Sequence, residues 1–328
     1  MAEIREQAQH PGVKWCMVLR QRVRYHVAPM RKTARAQLAL MTLILLLVAA
    51  SRIPRLDVWD IEPSIDEVWS IWQTFGSLGD VFRWTPYDWP PGYYVTLWGW
   101  QNLVGIHPIA IRMLSVCAFL LGTAFMYRAG LTLRNAKAGM LAALAYAGFG
   151  YIIFLSIELR GYALLLGLMP LAIWQTTRYF RQPSIRRGVM LGVIVAAMLY
   201  VSLTSAVALA MLGLFTLFVW GKAVWRWWLP VLLGGLLYLP EIVNKLGLAL
   251  NRVNALNDIA VPDESALFTL YQDYVGHGQA LWLVLFAVAS LALIGRGLRR
   301  SRINRALLVW ALMPFVLFLT HRYLGFFY

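Results

Sequence analysis

Apolar residues fall in long, nearly unbroken blocks along this chain, separated by short polar stretches. The blocks cover positions 36–51, 109–127, 138–155, 163–177, 188–201, 206–220, 227–242, 280–294 and 306–320. None shows the period-two alternation of a membrane barrel strand. A bilayer core of ~30 Å is crossed by about 20 mostly apolar residues in helical form. The pattern therefore predicts an all-α polytopic membrane protein of about nine transmembrane helices. Composition agrees: 60% of the 328 residues are hydrophobic and only 14% are charged.

A net charge of +15 raises the question of nucleic acid, and the placement of the charge answers it. The basic tail 1–35 and the alternate loops 128–137, 178–187, 222–226 and 296–305 hold 22 of the 30 cations and only Glu3 and Glu6 of the 15 acids. Cytoplasmic loops carry such an excess of Lys and Arg. This places the N-terminus in the cytoplasm, predicts no nucleic-acid partner and treats residues 1–35 as an orientation signal lying against anionic lipid. Residues 36–328 form the transmembrane domain. Cys16 and Cys117 supply no disulfide framework, and His107, His277 and His321 lack metal-ligand spacing, so a divalent metal is unsupported.

Two outer loops are long, 52–108 and 243–279. The first contains "YDWPPGYYVTLWGWQNLVG", residues 87–105, which is apolar enough to compete as a span. Counting it as one would reverse the side of every later loop. Trp and Tyr favour the headgroup level, so an interfacial helix started by Pro90 and Pro91 fits better. The second, with Asp258, Asp263, Glu264, Asp273 and His277, reads as a partly helical cap.

On this topology, four separated segments deliver charge to one face. "PSIDEVWSI" brings Asp66 and Glu67, "HPIAIRMLSV" brings Arg112, and "LSIELRGYALL" brings Glu158, Arg160 and Tyr162. "THRYLGFFY" brings His321, Arg322 and Tyr323. Each has a plainer explanation: a solvated turn, a snorkelling arginine, a local ion pair or a terminal anchor. Asp263–Glu264 is a similar acid pair with no obvious purpose. Their coincidence on one side carries more weight, because ionisable groups near hydrocarbon are costly and usually serve a pathway or site. Arginine recognises phosphate through its planar fork, and a carboxylate opposite accepts a proton from a hydroxyl. That combination suits group transfer from a lipid-phosphate carrier. Trp69, Trp72, Tyr93 and Tyr94 are either stacking faces for a sugar or interface-belt residues.

At these residues the chain resembles the GT-C superfamily of membrane glycosyltransferases, in particular the bacterial branch related to protein O-mannosyltransferases and to the lipid A aminoarabinose transferase. "IDEVWS", "WPPGYYVTLW", "IAIRMLSV", "SIELRGYALLL" and a late "RYL" carry the resemblance in order across 36–328. Trp89 and Gly92, on either side of the prolines, depart from the family pattern. The resemblance implies a polyprenyl-phosphate sugar donor, used without a nucleotide on the periplasmic face of a bacterial inner membrane. The acceptor is a glycan, lipid or protein. It implies Asp66 as the base that deprotonates the acceptor hydroxyl and Glu67 as its positioning neighbour. Pro90, Pro91, Tyr93, Tyr94, Glu158, Tyr162, His321 and Tyr323 fall in the implied substrate site, and Arg112, Arg160 and Arg322 line the phosphate side. The implied step is an inverting displacement at the anomeric carbon. Two other expectations compete: a transporter or flippase of the lipid-linked sugar, and a shortened, inactive homologue acting as a partner subunit.

Overall fold

The computed structural model describes residues 36–56, 65–85, 89–252 and 301–309, with the isolated positions 288, 291 and 295. Every regular element among them is helical. The chain divides into two compact units, Met1–Leu47 and Val48–Tyr328. Helix α1 is Ala36–Arg52. Short helices α2 (Ile65–Gln73), α3 (Leu78–Trp84) and α4 (Gly92–Val104) precede the long ones. These are α5 (Pro108–Leu133), α6 (Ala136–Gly148), α7 (Gly150–Leu155), α8 (Gly161–Arg181), α9 (Ile185–Val201), α10 (Ser205–Trp220) and α11 (Trp228–Arg252). A last described helix, α12, covers 302–309. The expected span at 280–294 and most of that at 306–320 lie outside the described residues, as do the expected cap residues Asp258, Asp263, Glu264, Asp273 and His277.

Direction reverses at each connection from α5 to α11 except at the Phe149 break, across which α6 and α7 continue the same way. Gly130 of α5 packs on Gly139 of α6, and Phe119 lies against Tyr146, so these two run antiparallel. Helices α5 and α8 run parallel: Ser115 Oγ donates to the Glu158 carbonyl, Gly122 abuts Leu166, and Arg181 Nη2 donates to the Leu133 carbonyl. Helix α9 returns beside α8, with Gly188 against Tyr179 at one end and Val201 against Gly161 at the other. After α10 the chain turns at Gly221, whose φ of +58° suits a residue without Cβ, through a 3₁₀ segment Gly221–Trp227. Helix α11 then runs parallel to α9, with Leu229 and Leu233 over Gly188 and Gly192.

The expected interfacial helix is α4. At 13 residues it is about 20 Å long, too short for a ~30 Å bilayer core. Pro91 is its N-cap residue, and Gly92 opens it where an added Cβ would meet the Tyr200 carbonyl oxygen at 2.6 Å. The close approach of α4 to the end of α9 thus depends on the glycine.

Pro170 inside α8 shows how the bundle satisfies its own backbone. Proline has no N–H, so the Leu166 carbonyl four residues earlier loses its helical donor. The Tyr146 hydroxyl, from α6, donates to that carbonyl at 2.6 Å. Gly122 gives α5 room beside the same oxygen. Tyr146→Phe should therefore strand a buried acceptor and cost about 1–3 kcal/mol. Thermal unfolding of the purified variant checks this, and an unchanged midpoint would show that the carbonyl is satisfied some other way.

Two runs among the described residues, Pro108–Leu133 and Ser205–Val243, are long and apolar enough to cross a membrane; Ala36–Arg52 is a shorter apolar helix.

Candidate functional site

Asp66 and Glu67 occupy the first turn of α2, where the helix dipole favours negative charge. Adjacent helical residues point about 100° apart, so the two carboxylates reach different partners. Glu67 points inward and is 5% exposed. Its Oε2 lies 2.7 Å from Arg112 Nη2, Arg112 Nε donates to Oε1 at 3.3 Å, and the Leu159 backbone N–H donates to Oε1 at 3.0 Å. Arg112, also buried, donates from Nη1 to the Leu56 carbonyl at 3.1 Å. One fork-to-fork pair thereby joins α2, α5, the turn after α1 and the 156–160 turn. Arg112, expected on the phosphate side, makes this buried pairing with Glu67.

Asp66 points to the rim. Its Oδ2 lies 2.9 Å from Arg160 Nη2, and both side chains are partly exposed. Arg160 is the residue before α8 and lies over the Tyr162 ring, its guanidinium carbon 5.3 Å from the centroid. Its Nε is enclosed and has no hydrogen-bond partner among the described residues. Glu158, in the same turn, is half-buried. Burial pushes its carboxyl above the usual range; Arg160 opposes this, Glu67 and Asp66 reinforce it, and Arg112 opposes it again.

Beside Arg160 opens a cavity of about 270 Å³, just under the ~300 Å³ at which ligand pockets begin. Trp89, Pro90, Tyr93 and Tyr94 form one wall, with Tyr93 and Tyr94 edge to face at 5.3 Å. Arg160, Gly161 and Tyr162 form the second, and Val201, Ser202, Leu203 and Thr204 the third. The Ser202 and Thr204 hydroxyls lie 2.8 Å apart. Burial pushes the Tyr93 phenol well above its usual range, so it stays a proton donor.

The structure thus brings Asp66, Glu67, Arg112, Glu158 and Arg160 into one cluster, and Pro90, Tyr93, Tyr94 and Tyr162 around the adjoining cavity. Pro91 caps α4 without lining it. Trp69 and Trp72 are not among the lining residues; they pack edge to face on each other and are exposed on α2. His321, Arg322 and Tyr323 lie outside the described residues. The turn residues Ser202 and Thr204 escaped sequence reasoning. They are uncharged, and only their expected position on the same face as Arg160 could have pointed to them.

Among the described residues, no three His, Cys, Asp or Glu side chains come together as a metal-ligand group. The cluster can hold a phosphate or carboxylate against Arg160, accept a proton on Asp66, and offer aromatic faces and hydroxyls to a polar ring. A scan against protein-family models returns no match, and a search of curated proteins finds no significant relative.

Proposed function

We propose that the chain is a multi-pass membrane protein, with about nine spans and a cytoplasmic N-terminus, that transfers a sugar from a polyprenyl-phosphate donor to an acceptor hydroxyl on the outer face. Two features support the membrane setting. Helix α2 and the turn that follows it are inside out for a protein in water: they bury Glu67, Ser70, Gln73 and Thr74 and expose Val68, Trp69, Trp72 and Phe75. Only 17% of the most apolar window in Ser205–Val243 is buried. Such apolar surface is stable against lipid, and outward tryptophans suit the headgroup layer. The two ends of the bundle also differ. The turns at 128–137, 178–187 and 221–227 carry nine cations and no acid, whereas Asp66, Glu67, Glu158 and Glu241 gather at the other end.

The observation that carries the transferase reading is the Asp66–Arg160 pair at the edge of the aromatic- and hydroxyl-lined cavity. Oδ1 of Asp66 has no hydrogen bond among the described residues, which leaves it open to an acceptor hydroxyl. The hydroxyl oxygen attacks the anomeric carbon and its proton passes to Asp66. The bond from that carbon to the phosphate oxygen breaks, and its electron pair leaves with the polyprenyl phosphate. Arg160, with Nη2 on Asp66 and its side chain lining the cavity, stabilises the charge building on that oxygen. Inversion follows from displacement on the opposite side.

The test supplies purified protein with a panel of polyprenyl-phosphate sugars and measures released carrier phosphate. One donor should be consumed, and Arg160→Ala should raise KM for it and lower kcat together. Turnover of no donor in the panel, or full activity of the variant, would overturn the proposal. Movement of labelled carrier across liposomes without product would favour a flippase.

A further inference from the structure

The opposite end of the same helices carries a second cavity, of about 340 Å³. The ends of α5 and α8 and the start of α9 build it. Four arginines line it, Arg128, Arg178, Arg181 and Arg187, together with Trp174 and Thr132. It lies about 27 Å along α8 from the Asp66 cluster, taking the 18 residues from Arg160 to Arg178 at 1.5 Å each.

Four like charges around one hollow repel each other, and a sequence that only needed orientation signals could scatter them over the loops. Here they are held in place. Trp174 lies between two of them, with the Arg178 guanidinium carbon 4.8 Å and that of Arg128 5.4 Å from its ring. Arg178 Nη1 donates to Gln175 Oε1 at 3.1 Å. Arg181 Nη2 donates to the Leu133 carbonyl at 2.6 Å, and Arg187 Nη1 to the Gln182 carbonyl. None of the four meets a carboxylate among the described residues, and the turns that form this end contain no Asp or Glu. Each guanidinium keeps N–H donors to spare after these contacts, since it has five.

We propose that this cavity binds a phosphate-bearing anion, with the headgroup of an anionic phospholipid as its source. Planar guanidinium forks match phosphate oxygens, and several converging forks hold a phosphate diester without any carboxylate to expel. Basic hollows between helices at the cytoplasmic side are suited to such headgroups. The phosphate chemistry rests on the cavity alone, and only the lipid source rests on the membrane setting. Sugar transfer is not required by either.

The experiment measures the thermal midpoint of the purified full chain in phosphatidylcholine micelles as phosphatidylglycerol is titrated in, and separately as inorganic pyrophosphate is added. Phosphatidylglycerol should give a saturable stabilisation. Arg178→Gln and Arg187→Gln should each raise the half-saturating concentration about tenfold, the scale of one lost charge-assisted hydrogen bond. Arg186→Gln, exposed beside the cavity but not lining it, should leave the titration unchanged. If Arg178→Gln does not fold, Arg187→Gln alone carries the comparison. Saturation by pyrophosphate and not by the lipid would keep the phosphate site and overturn the lipid source. Wild-type titrations in both lining variants, an equal loss in Arg186→Gln, or no saturable response to either probe would overturn the site itself.

Discussion

Glu67→Gln should be the most destabilising single substitution at the site. The carboxylate is buried, and all its described contacts are donors: two from Arg112 and one from the Leu159 backbone. Glutamine keeps the shape and an oxygen for Leu159, but presents an amide N–H₂ where Arg112 needs an acceptor. Arg112 then loses the carboxylate it is paired with in a buried setting. Removing one partner of a buried pair costs ~3–5 kcal/mol. At roughly 2–4 °C per kcal/mol for a chain of this size, the thermal midpoint should fall by about 6–12 °C even at the low end. Because the pair ties together four chain segments, donor binding should weaken with it. The sharper check is a double-mutant cycle. Glu67→Leu with Arg112→Met removes both charges and should recover much of the loss, since a buried ion pair is often replaceable by packed apolar groups. A Glu67→Gln midpoint within 2 °C of wild type, on the ~2–4 °C scale above, would mean that Arg112 finds another acceptor and that the pair does not hold the site.

The helices were largely legible because burial in lipid or in a helical core needs the same thing of a sequence, a long apolar run. The block at 36–51 becomes Ala36–Arg52 and that at 188–201 becomes Ile185–Val201. Errors fall where local backbone chemistry decides. The block at 109–127 runs on to Leu133 because the small pair Gly130 and Gly139 lets α5 and α6 stay in contact past the apolar window. The block at 138–155 breaks at Phe149, extended at φ −73° and ψ 120°, between Gly148 and Gly150. Two poor helix formers in three positions weaken propagation there, a cost that hydropathy does not register.

Within the site, the sequence put the acids and arginines on one face but could not assign the pairs. Asp66 and Glu67 differ by one methylene and one position, and only the helical turn between them decides which goes to the buried Arg112 and which to the rim. Trp69 and Trp72 were ambiguous for a related reason: a sugar-stacking ring and an interface-belt ring have the same chemistry, and exposure alone separates them. Pro170 announces an orphan carbonyl at Leu166, but only the packing of α6 on α8 identifies Tyr146 as its donor.

Asp66→Asn should abolish transfer while leaving the fold intact. Asparagine is isosteric, and its Oδ1 can still accept from Arg160, but it cannot take a proton from the acceptor hydroxyl. Loss of a general base typically costs about 10²–10⁴-fold in rate. The Asp66–Arg160 pair is partly exposed, so its stability contribution falls in the ~0–1 kcal/mol range of surface pairs, and the midpoint should move little. This separates Asp66 from Glu67: rate without stability at one position, stability first at the next. Kinetics distinguish Asp66 from Arg160 as well, since Asp66→Asn should lower kcat with donor KM nearly unchanged, whereas Arg160→Ala should move both. The assay is released polyprenyl phosphate at saturating donor, beside a thermal scan of the same preparation. Turnover within about threefold of wild type, far inside the general-base range, would take the base role from Asp66. Glu158 would then be the next carboxylate to test, because burial already raises its affinity for a proton. If both the rate and the midpoint collapse, Asp66 is a structural residue like its neighbour, and the cavity has lost its catalyst.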